Sequence, residues 1–244
     1  MHAGDTLQTR TLRTYTVLSH LHPHWGGRLA VCCSLDPEGQ AASLAVNIAG
    51  GVSLAIEEDA ERAHKALRSG VCDFVVNTLD EALRTMKNEV RKHTPLSVGL
   101  QAPLMPTLDE LLERGVAPQV YCPVPQLPAT YAQRFLAGGA QVLSLYQAAV
   151  AGALVQDDML TDLTAQHSWQ LCSFPLADQA TLRSVQERLL EIVPADDLLR
   201  RRWLQTAHRV LPRELPQTRA LWLTPEEQQR WSAITIARNI AMAV

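Results

Sequence analysis

The stretch RLAVCCSLDPEGQAASLAVNIAGGVSLAIEEDAERAHKALRSG, residues 28–70, alternates short apolar runs with segments of helical periodicity. RLAVCCSL at 28–35 follows the turn signal Gly26-Gly27 and stops at Asp36-Pro37, which predicts a buried strand. EGQAASLAVNIAG at 38–50 has small and apolar residues at helical spacing and ends on Gly50-Gly51, a helix stop. VSLAIE at 52–57 is a second strand. EDAERAHKALRSG at 58–70 is an amphipathic helix with Ala60, Ala63, Ala66 and Leu67 on one side. Two strands joined by a helix of about a dozen residues form a crossover, so the strands run parallel and need helices on their faces.

The alternation continues downstream. DFVVN at 73–77, PLSVGL at 95–100 and QVYC at 119–122 are strands, and TLDEALRTMKNEVRKH at 78–93 is a helix with a Thr78 to Glu81 capping box. TLDELLERG at 107–115 is a further helix. The expected class is α/β, a doubly wound, mostly parallel sheet with helices on both faces. After residue 125 the pattern changes. The proline-spaced CPVPQLP at 122–128 leads into an Ala- and Gln-rich region, so 126–168 is expected to be a helical excursion or linker. WQLCSF at 169–174 and RALWL at 219–223 are strands, with helices at about 177–191 and 195–209 and a closing helix from Pro225 to the end. Residues 169–244 are expected to form a smaller α/β portion that can pack on the first sheet.

Charge and composition narrow the function. Twenty-two Lys and Arg against 25 Asp and Glu leave a net charge of −3, which argues against a nucleic-acid or anionic-membrane partner. A small-molecule ligand or a protein is the expected partner. The N-terminal segment lacks the apolar stretch of a signal peptide, and no apolar run reaches the roughly 18 residues of a membrane span, so a cytoplasmic location is expected. Cys32, Cys33, Cys72, Cys122 and Cys172 contain no C-x-x-C pair and mostly lie in or beside apolar runs, as reduced core thiols do.

Four stretches resemble one family: TYTVLSHLHPHWGGRLAV at 14–31, LAVNIAGGVSLAIEEDAERA at 44–63, the segments LDEALRTM, PLSVGL and TLDELLERGVAPQVY between 79 and 121, and PADDLLRRRWLQTAHRVLPRELPQTRALWL at 194–223. In order and spacing they are similar to urocanase, urocanate hydratase. The resemblance implies that the first three belong to a Rossmann-like NAD domain and the last to a remnant of the catalytic core. It also implies a homodimer, and a chemistry in which bound NAD⁺ adds to the imidazole of urocanate so that water can add to the side chain.

At its motifs the chain departs from that family. Where the family has the turn A-G-x-G-G-x-G-G-A-Q, residues 33–42 read CSLDPEGQAA, with only Gly39 retained among the tight-turn glycines. Those glycines let a pyrophosphate approach backbone N–H groups at a helix N-terminus. Asp36 and Glu38 add negative charge there, and Pro37 removes a donor. QAPLMP at 101–106 replaces the family's Gly-Asn-Ala, PVPQLP at 123–128 replaces its Asp-Gln-Thr-Ser-Ala-His, and DDMLTDLTAQHS before Trp169 holds no counterpart of its catalytic cysteine. Cys172 lies inside the next strand and is expected to be a core residue. Glu57 and Arg62 in IEEDAER do match the acidic residue that takes the adenosine ribose and its arginine neighbour, and with Gly39 they are the residual cofactor positions. A solvated charge pair in the first turn of a helix is the plainer alternative.

Two further constellations stand outside the resemblance. His20, His22 and His24 in SHLHPHW can present imidazoles to a metal. Arg200-Arg201-Arg202, balanced by Asp196 and Asp197, reads as a solvated helix face, and the five tryptophans read as core. The expectation is a urocanase-like protein that binds no cofactor and no longer hydrates urocanate, serving instead as a ligand-binding, interaction or regulatory protein. The alternatives are a lyase-like enzyme for another small molecule in the same crevice, oriented by Glu57 and Arg62, and a metal-binding protein. The two crevice readings are separated by whether the crevice is open and polar or filled by Leu104, Met105 and the proline-rich loops.

Overall fold

The computed structural model describes residues 6–146, 152–176, 179–211 and 217–237. After the first helix, α1 (Leu7–Leu21), come β1 (Leu29–Cys32), α2 (Pro37–Ala49), β2 (Val52–Glu57), α3 (Ala60–Ser69), β3 (Phe74–Val76), α4 (Leu79–Lys92), β4 (Leu96–Gln101), α5 (Leu104–Glu113) and β5 (Val120–Cys122). Then follow α6 (Ala129–Ala137), β6 (Gln141–Ser144), β7 (Leu154–Val155), α7 (Gln156–His167), β8 (Gln170–Leu176), α8 (Gln179–Ile192), α9 (Leu198–Val210), β9 (Gln217–Leu223) and α10 (Pro225–Ala237). Seven parallel strands form one sheet in the order β3-β4-β2-β1-β5-β6-β7. The chain winds one way from β1 through β2 and the other way through β5, so the topological switch point lies between β1 and β5.

Alternation along the strands sends residues to two cores. Ala30, Cys32, Ala55, Val120, Cys122 and Leu143 face α1, α2 and α3, whereas Val31, Leu54, Ile56, Val98, Tyr121 and Val142 face α4, α5 and α6. The small side chains of the first set let α2 lie close on the sheet, and α2 is in turn covered by α1 and α9. Hence Ala41, Ala42, Ala45, Ile48 and Ala49 are all buried, on more than one side of the helix.

Three expectations need correction. The segment 126–168 is no simple helical excursion: it supplies β6 and β7, paired in parallel on the β5 edge. QVLS is short, polar at both ends and set in an Ala- and Gln-rich stretch, so periodicity hid it, although Gly138-Gly139 marked the turn before it. α5 begins at Leu104, three residues before the expected start, because the Glu58 carboxylate accepts its first N–H at 2.7 Å. The arginine run is not a solvated face throughout, since only Arg202 is exposed. Arg200 is buried and donates through Nη2 to Glu227 at 2.9 Å, through Nε to Asp197 at 2.6 Å and through Nη1 to the Trp222 carbonyl at 3.1 Å. Arg201 donates to the Leu190 and Val193 carbonyls, and Arg202 to that of Ile48.

β8 and β9 pair antiparallel in a separate two-stranded sheet. It is joined to the first unit by Trp222, whose Nε1 donates to Thr16 Oγ1 at 2.8 Å, and by the Ala220 N–H, which donates to Gln8 at 2.7 Å. One continuous apolar cluster runs from Leu12 and Tyr15 in α1 through Trp203 and Leu204 in α9 to Leu221 in β9. The closing helix is described to Ala237, and the remainder of its expected span lies outside the described residues. No helix among the described residues is long and apolar enough to cross a membrane.

Candidate functional site

In a doubly wound sheet the crevice at the carboxyl ends of the strands, beside the switch point, is the place to look for a ligand. Here it is framed by the β1–α2 turn, Cys33 to Asp36, and by the loops after β2, β4 and β5. β1 stops at Cys32, short of the expected Leu35, because the turn has partners of its own. The Leu35 N–H donates to Glu57 Oε2 at 2.9 Å, the Asp36 N–H to Ser34 Oγ at 2.7 Å, and Gln40 Nε2 to the Leu35 carbonyl at 2.8 Å. Asp36 is the N-cap of α2: its Oδ1 accepts the Gly39 N–H at 2.9 Å, and Pro37 takes the first helical position. From the far side Tyr146, just past β6, donates its hydroxyl to Asp36 Oδ2 at 2.6 Å. Burial, then this bond, pushes the Tyr146 phenol up well above its ordinary value, so it remains a donor. Glu38 in the same helical turn pairs with Arg10 of α1 at 3.2 Å.

Gly39 is retained for a packing reason. A Cβ there would run into the Ser34 carbonyl, 2.7 Å from its carbon, so the turn folds back on the helix only with glycine at this position. Glu57 is 5% exposed, neither a solvated charge in a helix's first turn nor a carboxylate open to a ribose. Its Oε2 holds the Leu35 N–H, its Oε1 accepts the Asp59 N–H at 3.0 Å, and Arg62 Nη1 donates to it at 3.1 Å. The sequence thus pairs Glu57 with Arg62 correctly, but the carboxylate is spent on the chain's own backbone. What the sequence missed is Tyr146, 110 residues from its partner Asp36, for which no local signal exists.

The other candidates fall as follows. Leu104 is half-buried and Met105 is 50% exposed, so the turn and Tyr146, not Met105, close on the N-terminus of α2. Cys32, Cys33, Cys72 and Cys122 are buried, and burial pushes the Cys33 and Cys72 thiols up to about 12. Cys172, expected in the core, is only half-buried, with its thiol also raised by desolvation. His20 lies in the last turn of α1, His22 caps the helix with its ring edge-on to Trp25 at 5.8 Å, and His24 is exposed in the following loop. Among the described residues no group of three or more His, Cys, Asp and Glu side chains is gathered as a metal site.

Among solved structures, a putative enoyl reductase domain of polyketide synthase is 15% identical, with 85% of this chain and 98% of that one covered and a TM-score of 0.44. A cyclopropane-fatty-acyl-phospholipid synthase-like protein from Lactobacillus casei ATCC 334 is 13% identical, covering 88% of this chain and 90% of that one, with a TM-score of 0.25. Residues 9–124 match the model of the urocanase Rossmann-like domain, and they include α1, the β1–α2 turn, Glu57 and every strand from β1 to β5. The parallel sheet wound outward from β1 is the architecture such a domain requires, and over residues 9–124 the chain is similar to the Rossmann-like domain of urocanase.

Proposed function

We propose that this is a urocanase-related Rossmann-like protein that no longer holds a dinucleotide at its phosphate turn or hydrates urocanate, and that it acts as a ligand-binding or regulatory protein. One observation carries the reading: the Asp36 carboxylate sits at the N-terminus of α2, bonded to the Gly39 N–H and to Tyr146, where a pyrophosphate would need those donors. The residues present do not fit a dinucleotide. Seating one would break two hydrogen bonds to a charged group, each contributing about 1.5–3 kcal/mol. It would also set phosphate against Asp36, at roughly 4 kcal/mol for unit charges about 4 Å apart at an effective dielectric near 20. Together these offset most of the about 8 kcal/mol of a micromolar complex. Glu38, held by Arg10, adds less.

The test is calorimetric titration with NAD⁺ to on the order of 1 mM, where a binding free energy of about −4 kcal/mol is still visible. Urocanate absorbance is followed in parallel with added NAD⁺. No saturable heat and no loss of absorbance are expected. A dinucleotide that co-purifies at one per chain, or urocanate turnover that follows the protein through purification, overturns the reading.

A further inference from the structure

The end of the sheet away from this crevice is built differently. At the amino ends of β1 and β2 a cleft of about 460 Å³ lies between the C-terminal half of α1, the loop before β1, the last residue of α2 and the first turns of α9. That volume is in the range of small-molecule sites. Its walls are apolar and aromatic: Trp25 and Tyr15 are fully buried, and Leu198 at the lip is 73% exposed, the most exposed large apolar side chain described. Its polar groups are His24, Ser19, Gln205 and the guanidinium groups of Arg201 and Arg202, and no acidic residue lines it. The nearest acid in sequence, Asp197, is held by Arg200 through two hydrogen bonds.

The two arginines are not equivalent. Arg201 spends Nη1 on the Leu190 and Val193 carbonyls, which ties it to α8. Arg202 donates only Nε, to the Ile48 carbonyl at 3.1 Å, and among the described residues its Nη1 and Nη2 donate to no protein group. Gly50, in the left-handed region at φ 95°, lets the guanidinium lie there, since a Cβ would strike Arg202 Nη2. One planar fork is therefore held at its base, packed over Gly50, and lines the cleft with two nitrogens not spent on the protein.

We propose that this basal cleft binds a small aromatic monocarboxylate, its ring against Leu198, Leu199 and Pro23 over the buried Trp25 and Tyr15, and its carboxylate on the Arg202 fork. A planar fork matches a carboxylate with two parallel hydrogen bonds. With Arg201 engaged on α8, one fork calls for a singly charged head. The site is at the opposite end of the strands from the Asp36 turn, so the proposal stands whether or not that turn takes a dinucleotide.

The full-length protein is titrated calorimetrically with 1-naphthaleneacetate and, in parallel, with the uncharged 1-naphthaleneacetamide. The acid is expected to bind about tenfold tighter than the amide, and Arg202→Gln to abolish that preference. Because Arg202 also bonds α2, two variants at the exposed Gln205 guard against misfolding: Gln205→Glu weakens the acid about threefold or more, Gln205→Lys strengthens it, and neither changes the amide. The proposal is overturned if the acid shows no binding at about 1 mM, if acid and amide bind alike, or if the Gln205 charge variants leave the acid unchanged.

Discussion

The two ends of the sheet handle their polar groups in opposite ways. At the carboxyl end, Glu57, Asp36 and Tyr146 meet the turn's own N–H groups and one another, so the donors a Rossmann turn offers to phosphate are answered from within the chain. At the amino end, Arg202 is fixed through one nitrogen and lines a cleft with two others that no protein acceptor among the described residues takes up. An internally satisfied turn resists change, because each group removed leaves a buried partner without its bond. A cleft lip has little to lose. Substitutions at the turn should therefore act on stability, and substitutions at the lip on ligand.

The largest effect is expected at Gly39. In Gly39→Ala the new methyl group meets a backbone carbonyl, which no rotamer change relieves, so stability should fall by about 3 kcal/mol or more. Urea denaturation checks this, and a wild-type midpoint would show that the turn is looser than described. Next is Glu57→Ala, which strips the Leu35 and Asp59 N–H groups and Arg62 of one shared acceptor and should cost about 2–4 kcal/mol. Glu57→Gln should recover part of this, since its single carbonyl oxygen serves one of the two N–H groups. A loss below 0.5 kcal/mol, roughly the level of an ordinary surface change, would return Glu57 to the role of a ligand-binding carboxylate. Asp36→Ala removes both the N-cap bond and the partner of Tyr146, and about 3 kcal/mol is expected, the lower end for two bonds to a charged group. By contrast Leu198→Ala at the cleft lip should stay within about 0.5 kcal/mol. Equal losses at Asp36 and Leu198 would erase the difference between the two ends.

Residues 28–122 were legible because each element announces itself locally. VSLAIE begins and ends where β2 does, Thr78 caps α4 through the Glu81 N–H, and Gly50 and Gly70 end α2 and α3 in the left-handed conformation. The loss of glycines at 33–38 and the pairing of Glu57 with Arg62 were legible for the same reason. What escaped depends on contacts distant in sequence. β6 is a strand because β5 offers it an edge, and Arg200 is buried because Glu227, 27 residues on, meets it with two bonds. Glu57 was misjudged in a third way. A carboxylate at a strand end looks the same in sequence whether its acceptor sites face a ribose or the backbone of the neighbouring turn, and only the path of Ser34 to Asp36 decides between them.

The smallest effect concerns protons at two half-buried histidines. His22 caps α1 beside Trp25, and its imidazole is held below the ordinary value of 6.5 by burial first and by Arg28 second, with Gln141 offsetting part of this. His208 in α9 is likewise held low, by burial and by the positive charge of Arg219 and Arg209. In both, the folded state takes up a proton at a lower pH than the unfolded chain does. As pH falls through 6.5 the unfolded chain is the first to be protonated, so stability declines from there until the folded imidazoles titrate, and it is full above that window. The melting temperature should thus drop between pH 7.5 and pH 5.5, a range above the ordinary carboxylate pKa of about 4, so that the imidazoles dominate the slope. In the double variant His22→Gln, His208→Gln that slope should flatten, whatever its melting temperature at pH 7.5. A slope unchanged by the double substitution would mean that other groups carry the pH dependence, and that the folded chain takes up protons at these two imidazoles as readily as the unfolded chain does.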